Sequence, residues 1–373
     1  MTLRRLNFPS SLAFLIRISC IASSLAFLGL AKLHAGGITW DAENGYQSDV
    51  VDLSGLLPEE TQQIVRWMNE GRAAEEKGHY RSAIHKYKKV SKKYPKNQYS
   101  PEAYYRRALI NLKRNKIDKA FANFNTIAWA YPNYGSFNEI LGEMYKIAVA
   151  RLETYRDRIL FVFPGFRNTD RAIGYFEKIV AIAPYSDYAP LSLMNIAKAW
   201  SDKNSDAMTI YALDRLVTNY PNSFLTSDAY LKLAQTHYGL IKGPEYDQRA
   251  TEDAITFFED FLIQYPENQN VGQAENGLSG AKNVLSMSKL KMGDFYNFKR
   301  SKYKAAQIMY NEAITIAPLS QSADIARKRL EKIDVILAEN SEAGVEIEKK
   351  APTTEELQEK AKKRAKRKVL GIF

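Results

Sequence analysis

The sequence predicts an all-α fold built from about six helix-pair repeats with insertions, because strand signals are almost absent and one pattern recurs. Tyr or Ala precedes proline six times, at Pro95, Pro132, Pro184, Pro221, Pro266 and Pro318. Twelve positions earlier stands a small residue: Ala83, Ala120, Ala172, Thr209, Ala254 or Ala306. Eight positions earlier stands a large apolar residue: Tyr87, Phe124, Phe176, Leu213, Phe258 or Tyr310.

This pattern resembles the second helix of a tetratricopeptide (TPR) unit, where a small residue lets paired helices approach and proline ends the helix. In the first unit the resemblance extends to the first helix, with Trp67 and Gly71 at its aromatic and glycine positions. The turn between the helices is then 77–80. The resemblance implies a right-handed α-solenoid in which each repeat packs on its neighbours.

Insertions interrupt the array, since successive prolines lie 37, 52, 37, 45 and 52 residues apart, against a TPR period of about 34 residues. We expect the additional residues at 156–170, at 241–249 and along a lengthened helix pair at 275–301.

The chain is expected to divide into four segments. Residues 1–35 are typical of a secretory signal peptide, with Arg4 and Arg5 before a mostly apolar run. Residues 36–57 form an arm, with only 38–40 expected to be extended. The repeats run over 58–340, starting at Pro58, which suits a first helical turn. Residues 341–373 form a charged tail with a short basic helix.

Two alternatives concern the N-terminal segment. An uncleaved anchor is one, although the apolar run 18–31 is shorter than the roughly 20 residues that a spanning helix needs. Lipidation of Cys20, the only cysteine, is the other. The residues before Cys20 argue against lipidation, because Arg17 stands where an apolar residue is expected and the apolar run follows the cysteine.

The net charge of +11 does not indicate a nucleic-acid partner. Residues 1–35 carry four basic and no acidic residues, and the tail carries nine basic and six acidic residues. The repeats therefore hold only a weak positive excess, without the basic stripe that nucleic-acid binding requires.

Beyond the generic repeat, two stretches resemble the BamD (ComL/YfiO) family of outer-membrane assembly lipoproteins. One is the aromatic loop 160–166, followed by 170–172 and 176–179. The other leads from 289–293 through Phe295 and Tyr296 to 302–306. The resemblance covers roughly residues 60–320. The chain departs from the family in lacking the lipidation sequence and in having an additional middle unit and a long basic tail.

The resemblance implies a non-catalytic periplasmic scaffold, peripheral to the outer membrane, that helps to fold and insert β-barrel proteins. It implies that N-terminal repeats receive unfolded outer-membrane proteins and that C-terminal repeats hold the POTRA domains of a BamA-like barrel protein. The alternative is a periplasmic TPR protein of cell-wall synthesis or division of the YbgF type. An N-terminal coiled coil is usual there, and 36–57 has no sustained heptad.

The resemblance also places candidate binding residues. TPR positions that line the concave face give a candidate substrate-binding groove: Met68, Arg72, Tyr105, Leu109, Met194 and Lys198. Packing against a neighbouring helix is the alternative for each. Phe161, Phe163 and Phe166 form a candidate docking loop, or else a local core. The last unit is the candidate partner-binding site, through Phe295, Tyr296 and Tyr303.

The basic tail has two interpretations. From Lys360 to Lys368 it carries seven basic residues and no acidic one. Such a segment is either a solvated end or an electrostatic contact with an anionic surface, membrane lipid or peptidoglycan.

No catalytic, metal or cofactor motif is found. The four histidines, His34, His79, His85 and His237, have no metal-like spacing, and there is no phosphate-binding glycine loop or nucleophile elbow. We therefore expect no enzyme activity and no cofactor, although an enzyme with a site lacking a known motif remains the third hypothesis.

The first prediction is export with removal of the leader. Arg4, Arg5, the apolar run and the sequence 33–35 place the cleavage after Ala35. N-terminal sequencing of the native protein should begin near Gly36. A native chain that retains Met1 would contradict the prediction, and a diacylated Cys20 would establish the lipoprotein alternative.

Overall fold

A computed structural model describes residues 38–48, 57–135, 137–154, 158–159, 163–164 and 168–342. The leader, most of the loop after residue 154 and the tail from 343 lie outside these residues, and so does Cys20. The chain divides into two compact units, residues 1–199 and 200–373.

The first unit contains two short hairpins and paired helices. Its elements are β1 (Ile38–Asp41), β2 (Gly45–Ser48), α1 (Pro58–Glu76), α2 (Tyr80–Lys93), α3 (Tyr99–Lys113), α4 (Ile117–Ala130), α5 (Phe137–Glu153), β3 (Arg158–Ile159), β4 (Phe163–Pro164), α6 (Thr169–Ile182) and most of α7 (Tyr188–Ser201). Strands β1 and β2 are antiparallel, as are β3 and β4.

The second unit is helical over its described residues. Its elements are α8 (Asp206–Asn219), α9 (Thr226–Gly239), α10 (Arg249–Gln264), α11 (Val271–Asp294), a π-helical turn (Phe295–Lys299), α12 (Tyr303–Ile316) and α13 (Gln321–Glu342). The predicted all-α repeat fold is confirmed. Helix α11 is the lengthened helix expected from the spacing, and 240–248 is the connection between α9 and α10.

The arm contains a β-hairpin that the sequence analysis missed. Residues 38–40 are extended as expected, but they pair with β2, which was not predicted. Asn44 and Gly45 at the turn are a known hairpin signal, and Gly45 adopts φ +75°. The Asp41 carboxylate accepts hydrogen bonds from the backbone N–H of Glu43 (2.9 Å) and of Asn44 (2.5 Å), which closes the turn.

The small and large residues of the repeat pattern lie in the contact between the paired helices of each repeat, which we call the seam. All twelve are buried, with at most 4% of any one exposed. Ala83, Ala172 and Ala254 have no exposed surface at all. In the first repeat Tyr87 of α2 packs directly on Gly71 of α1: a Cβ added at Gly71 would lie 2.7 Å from the Tyr87 ring. The two helices thus lie so close that the Tyr87 ring contacts the backbone of α1 at Gly71.

The repeated proline forms the turn that ends each second helix. The residue before proline still donates its N–H to the carbonyl four residues earlier, as Tyr94 does to Val90 (2.9 Å). Its own carbonyl then accepts from the residue three positions on, as Tyr94 does from Asn97 (3.1 Å). Proline occupies the second position of this turn, where its fixed φ is favourable. The same pair of bonds recurs at Tyr131, Ala183, Tyr220, Tyr265 and Ala317.

The second prediction tests the seam with one substitution at two glycines. Gly71→Ala places a methyl group against the Tyr87 ring, which is fully buried and cannot move aside. Overpacking of this kind typically costs about 1–3 kcal/mol. Gly174 lies in α6 with nothing within 4 Å of an added Cβ, so Gly174→Ala should stabilise the protein by about 0.5–1 kcal/mol.

Thermal or denaturant unfolding of the two variants provides the measurement. If the Tyr87 ring limits the approach of the two helices, the unfolding midpoint should be lower for Gly71→Ala and unchanged or higher for Gly174→Ala. Equal shifts would show that Tyr87 does not limit the helix approach.

Candidate functional site

The first candidate surface is the side of α1 on which the N-terminal hairpin lies. Trp40 and Tyr46 are directly opposed across the hairpin, so both side chains are on one face. The Arg72 guanidinium carbon lies 4.2 Å from the centre of the Trp40 ring, within cation–π distance. Tyr46 is buried in the core of the first repeats.

Asn69 of α1 fixes the backbone of the hairpin. Its Oδ1 accepts a hydrogen bond from the backbone N–H of Tyr46 at 2.9 Å. A Cβ added at Gly45 would lie 2.7 Å from the Asn69 side chain. Only glycine therefore allows this close approach at the positive φ that the turn requires.

Tyr46 ends in a buried polar network centred on Glu102 of α3. Glu102 accepts hydrogen bonds from Arg106 Nε (2.8 Å) and Tyr134 Oη (2.5 Å), and a long one from Tyr46 Oη (3.5 Å). Burial, and next the charge of Glu102, raise the pKa of Tyr134 and of Tyr46 above the usual tyrosine range. Both phenols are therefore protonated at neutral pH and can donate to the carboxylate.

The predicted groove residues differ in accessibility. Met68 is fully buried, and Tyr105 is buried with its hydroxyl donating to Glu139 at 3.0 Å. Both side chains therefore lie in helix packing, the alternative considered for them. Arg72, Leu109 and Met194 are half-buried, and Lys198 is exposed. Those four remain candidates for a binding surface, although Arg72 lies beneath Trp40 and Lys198 is 3.4 Å from Glu153.

The candidate docking loop lies largely outside the described residues. Phe161 and Phe166 are not described, and only the backbone of Phe163 is, as part of β4. Its role stays a prediction. Helix α6, which follows the loop, is joined to α4 through Asp118, which accepts hydrogen bonds from Arg171 at 2.9 Å and from Tyr175 at 2.7 Å. Tyr175 also stacks on Phe121, with ring centres 3.7 Å apart.

The second candidate surface is the π-helical turn of the last repeat, and the spacing of the chain explains it. In three earlier repeats a residue with positive φ follows the small first-helix residue by seven positions: Gly78 after Gly71, Asn115 after Ala108, Asn204 after Ala197. In the last repeat Ser301 follows Gly293 by eight.

The additional residue is accommodated in the π-helical turn. Tyr310 packs on Gly293, where an added Cβ would lie 2.5 Å from its ring, so the seam itself is preserved. The insertion must then lie between Gly293 and Ser301, and the segment 295–299 there is wound in a wider π-helix. Such single π turns are frequent at functional sites.

The wider turn exposes two aromatic rings, which we call the aromatic platform: Phe295 and Phe298. They are 45% and 65% exposed. The guanidinium carbon of Arg300 lies 5.3 Å from the centre of the Phe295 ring, and that of Arg329 lies 5.4 Å from the Phe298 ring. Exposed aromatic rings with arginines beside them are typical of protein–protein interface anchors.

The predicted partner-binding residues only partly coincide with this platform. Phe295 is in it, whereas Tyr296 and Tyr303 are half-buried and pack against the core of the last repeat. Phe298 was missed. The one-residue excess in the spacing was the available signal, because it displaces the turn from regular α-helical phase.

Polar contacts hold the platform in place. Asp294 accepts a hydrogen bond from the Tyr310 hydroxyl at 2.8 Å and pairs with Arg329. In the first repeat the Tyr87 hydroxyl also donates to a carboxylate, that of Glu75, at 3.2 Å, although Glu75 stands at a different repeat position. The last repeat therefore couples its seam tyrosine, through Asp294 and Arg329, to the exposed Phe298 ring.

A cleft of about 770 Å³ also opens in the second unit. Leu262, Leu278, Met287 and the fully exposed Leu319 line it with serine and amide side chains. Among the described residues no group of three His, Cys, Asp or Glu side chains could hold a metal ion. No described helix is long and apolar enough to cross a membrane.

Two protein families have members similar to parts of this chain. Residues 166–343 match the YfiO family, described as an outer membrane lipoprotein, and residues 102–134 match a tetratricopeptide-repeat family. The first of these matches includes the whole aromatic platform.

A curated relative is the outer membrane protein assembly factor BamD of Caulobacter vibrioides, 25% identical over 129 residues. These are 35% of this chain and 42% of that protein, so the match spans less than half the relative's length. Together with the two family matches, this relative shows that the chain is similar to BamD-type TPR proteins.

Similar solved structures include two repeat proteins. A thermophilic TPR protein of Thermus thermophilus has a TM-score of 0.27 and 16% identity, covering 58% of this chain and 98% of that one. A TPR-repeat protein of Bacteroides fragilis has a TM-score of 0.32 and 13% identity, covering 73% and 98%.

The third prediction concerns the Glu102 network. Tyr134→Phe removes a buried hydrogen bond to a charged carboxylate, which should cost about 1.5–3 kcal/mol of unfolding free energy. Tyr131→Phe is the matched control, since that hydroxyl donates to the neutral Pro95 carbonyl at an exposed site. Denaturant unfolding should show a clearly larger loss for Tyr134→Phe, and equal losses would contradict the central role of Glu102.

Proposed function

We propose that the protein is a non-catalytic scaffold of the bacterial envelope that takes part in assembling β-barrel proteins in the outer membrane, as BamD-type proteins do. The observation that carries the proposal is the YfiO match over 166–343. The aromatic platform lies inside that stretch and has the chemistry of an interface anchor. The relation to the Caulobacter assembly factor points to the same process.

We place the protein in the periplasm, peripheral to the outer membrane. The family description and the predicted leader support this location. In this proposal the protein acts by binding and positioning other chains.

The proposed division of labour has a stable partner at the last repeat and unfolded clients at the N-terminal repeats. A BamA-like protein would contact the aromatic platform through its POTRA domains. Phe295 and Phe298 would be buried there, while Tyr296 and Tyr303 support them from the core side. The half-buried Leu109 and Met194 and the exposed Lys198 would contribute to client binding.

The fourth prediction tests the platform in the full-length mature protein. The double variant Phe295→Ala, Phe298→Ala should bind the POTRA domains of the organism's BamA-like protein at least about 30-fold more weakly, as expected when anchors worth 2 kcal/mol are lost. Both rings are solvent-exposed, so their removal should leave the fold intact. Titration calorimetry provides the affinity, and circular dichroism checks the fold.

Tyr185→Ala is the matched control, because Tyr185 is a fully exposed ring outside the platform. It should bind the POTRA domains with unchanged affinity. If a crosslinked pull-down from membranes recovered no POTRA-containing protein, and the double variant bound as the wild type does, the proposal would fail.

A further inference from the structure

The contact between the N-terminal hairpin and α1 has the features of a ligand in a binding site. Two aromatic side chains on one face of the hairpin meet helix α1 and the α3 carboxylate Glu102. Helix α1 and Glu102 contact three features of this short β segment: a ring over a guanidinium, a second ring that is buried in the core with its hydroxyl at Glu102, and a backbone N–H that donates to an amide oxygen.

We propose that Asn69, Arg72 and Glu102 form a binding site for β-hairpin segments that carry a cross-strand pair of aromatic side chains, and that the chain's own hairpin 38–48 is its internal occupant. The site does not depend on β-barrel proteins being the clients, and so goes beyond the function proposed above.

The polar atoms of the site point to a ligand of this kind. Asn69 Oδ1 accepts a hydrogen bond from a backbone N–H, a donor that any extended segment can present. Glu102 is buried and requires donors, and the Tyr46 hydroxyl adds a third to those of Arg106 and Tyr134. Arg72 is half-buried, pairs with Glu76 at 2.9 Å and has its guanidinium over the Trp40 ring.

The hairpin is attached in a way that suits exchange. A two-stranded hairpin is at best marginally stable alone in water, so its order depends on the contacts with α1 and Glu102. Its anchors among the described residues are the buried Tyr46 with its long hydrogen bond to Glu102, the cation–π contact of Trp40 and the bond to Asn69. Elements held by few contacts open at low cost in free energy. A second hairpin of the same chemistry can then replace the first.

The test uses the hairpin itself as the probe. A synthetic peptide of residues 38–48 is titrated into the full-length mature protein and into its Trp40→Ala, Tyr46→Ala variant. A site that its own hairpin occupies about 90% of the time binds a competitor about 10-fold more weakly. The variant should therefore bind the peptide at least ten times more tightly than the wild type.

A second variant keeps the test decisive if the loss of Tyr46 disturbs the fold. Gly45→Val retains both Trp40 and Tyr46 in the sequence, but its Cβ collides with Asn69 and valine does not tolerate the positive φ. It should increase peptide affinity in the same way. Tyr185→Ala, far along the sequence and fully exposed, should behave as the wild type.

Specificity is tested on both sides of the contact. A peptide with alanine in place of both aromatic residues should not bind either hairpin variant. Adding Asn69→Ala and Arg72→Ala to the Trp40→Ala, Tyr46→Ala variant, whose hairpin is released without help from Asn69, should weaken binding of the intact peptide at least tenfold. Equal peptide affinity for wild type and Gly45→Val, or equal binding of the ring-free peptide, would overturn the proposal.

Discussion

The close approach of paired helices is the constraint on which the rest of the structure depends. It is set where a ring packs on a residue with no side chain, as Tyr87 does on Gly71 and Tyr310 on Gly293. A methyl group at either glycine would lie inside the contact distance of the ring. Once this contact is fixed, the position of the turn and the phase of the following helix are fixed as well, because side-chain direction rotates about 100° per helical residue.

That constraint explains why an inserted residue produces a surface. Between Gly293 and Ser301 the chain has one residue more than its counterparts, yet both seam residues keep their places. The helix absorbs the difference by widening over 295–299. Rings that regular α-helical phase would direct differently are then exposed, and Arg300 and Arg329 cover them only partly. A candidate binding surface thus arises from local helix geometry, with the core preserved.

The sequence predicts what is periodic and local, and misses what depends on a single residue or on distant partners. The seam residues, the start of α1 at Pro58 and the long α11 were predictable because spacing alone specifies them. Phe298 was missed because an excess of one residue in the spacing does not by itself show that the chain forms a π turn there. Met68 and Tyr105 were assigned to a groove by repeat position, but their burial depends on side chains from neighbouring helices. The β-hairpin was missed although its Asn-Gly turn is a local signal.

Aromatic side chains have different roles in the first and the last repeat. At the first repeat, Trp40 and Tyr46 of the chain's own hairpin contact Arg72 and Asn69 of α1, so this site is covered. At the last repeat no described segment covers Phe295 and Phe298 to that degree. Exposed rings are unfavourable in water unless a partner buries them. A covered site suits intermittent ligands, because displacement of the hairpin weakens every binding event. An open platform suits a permanent partner, which has no such competition to overcome.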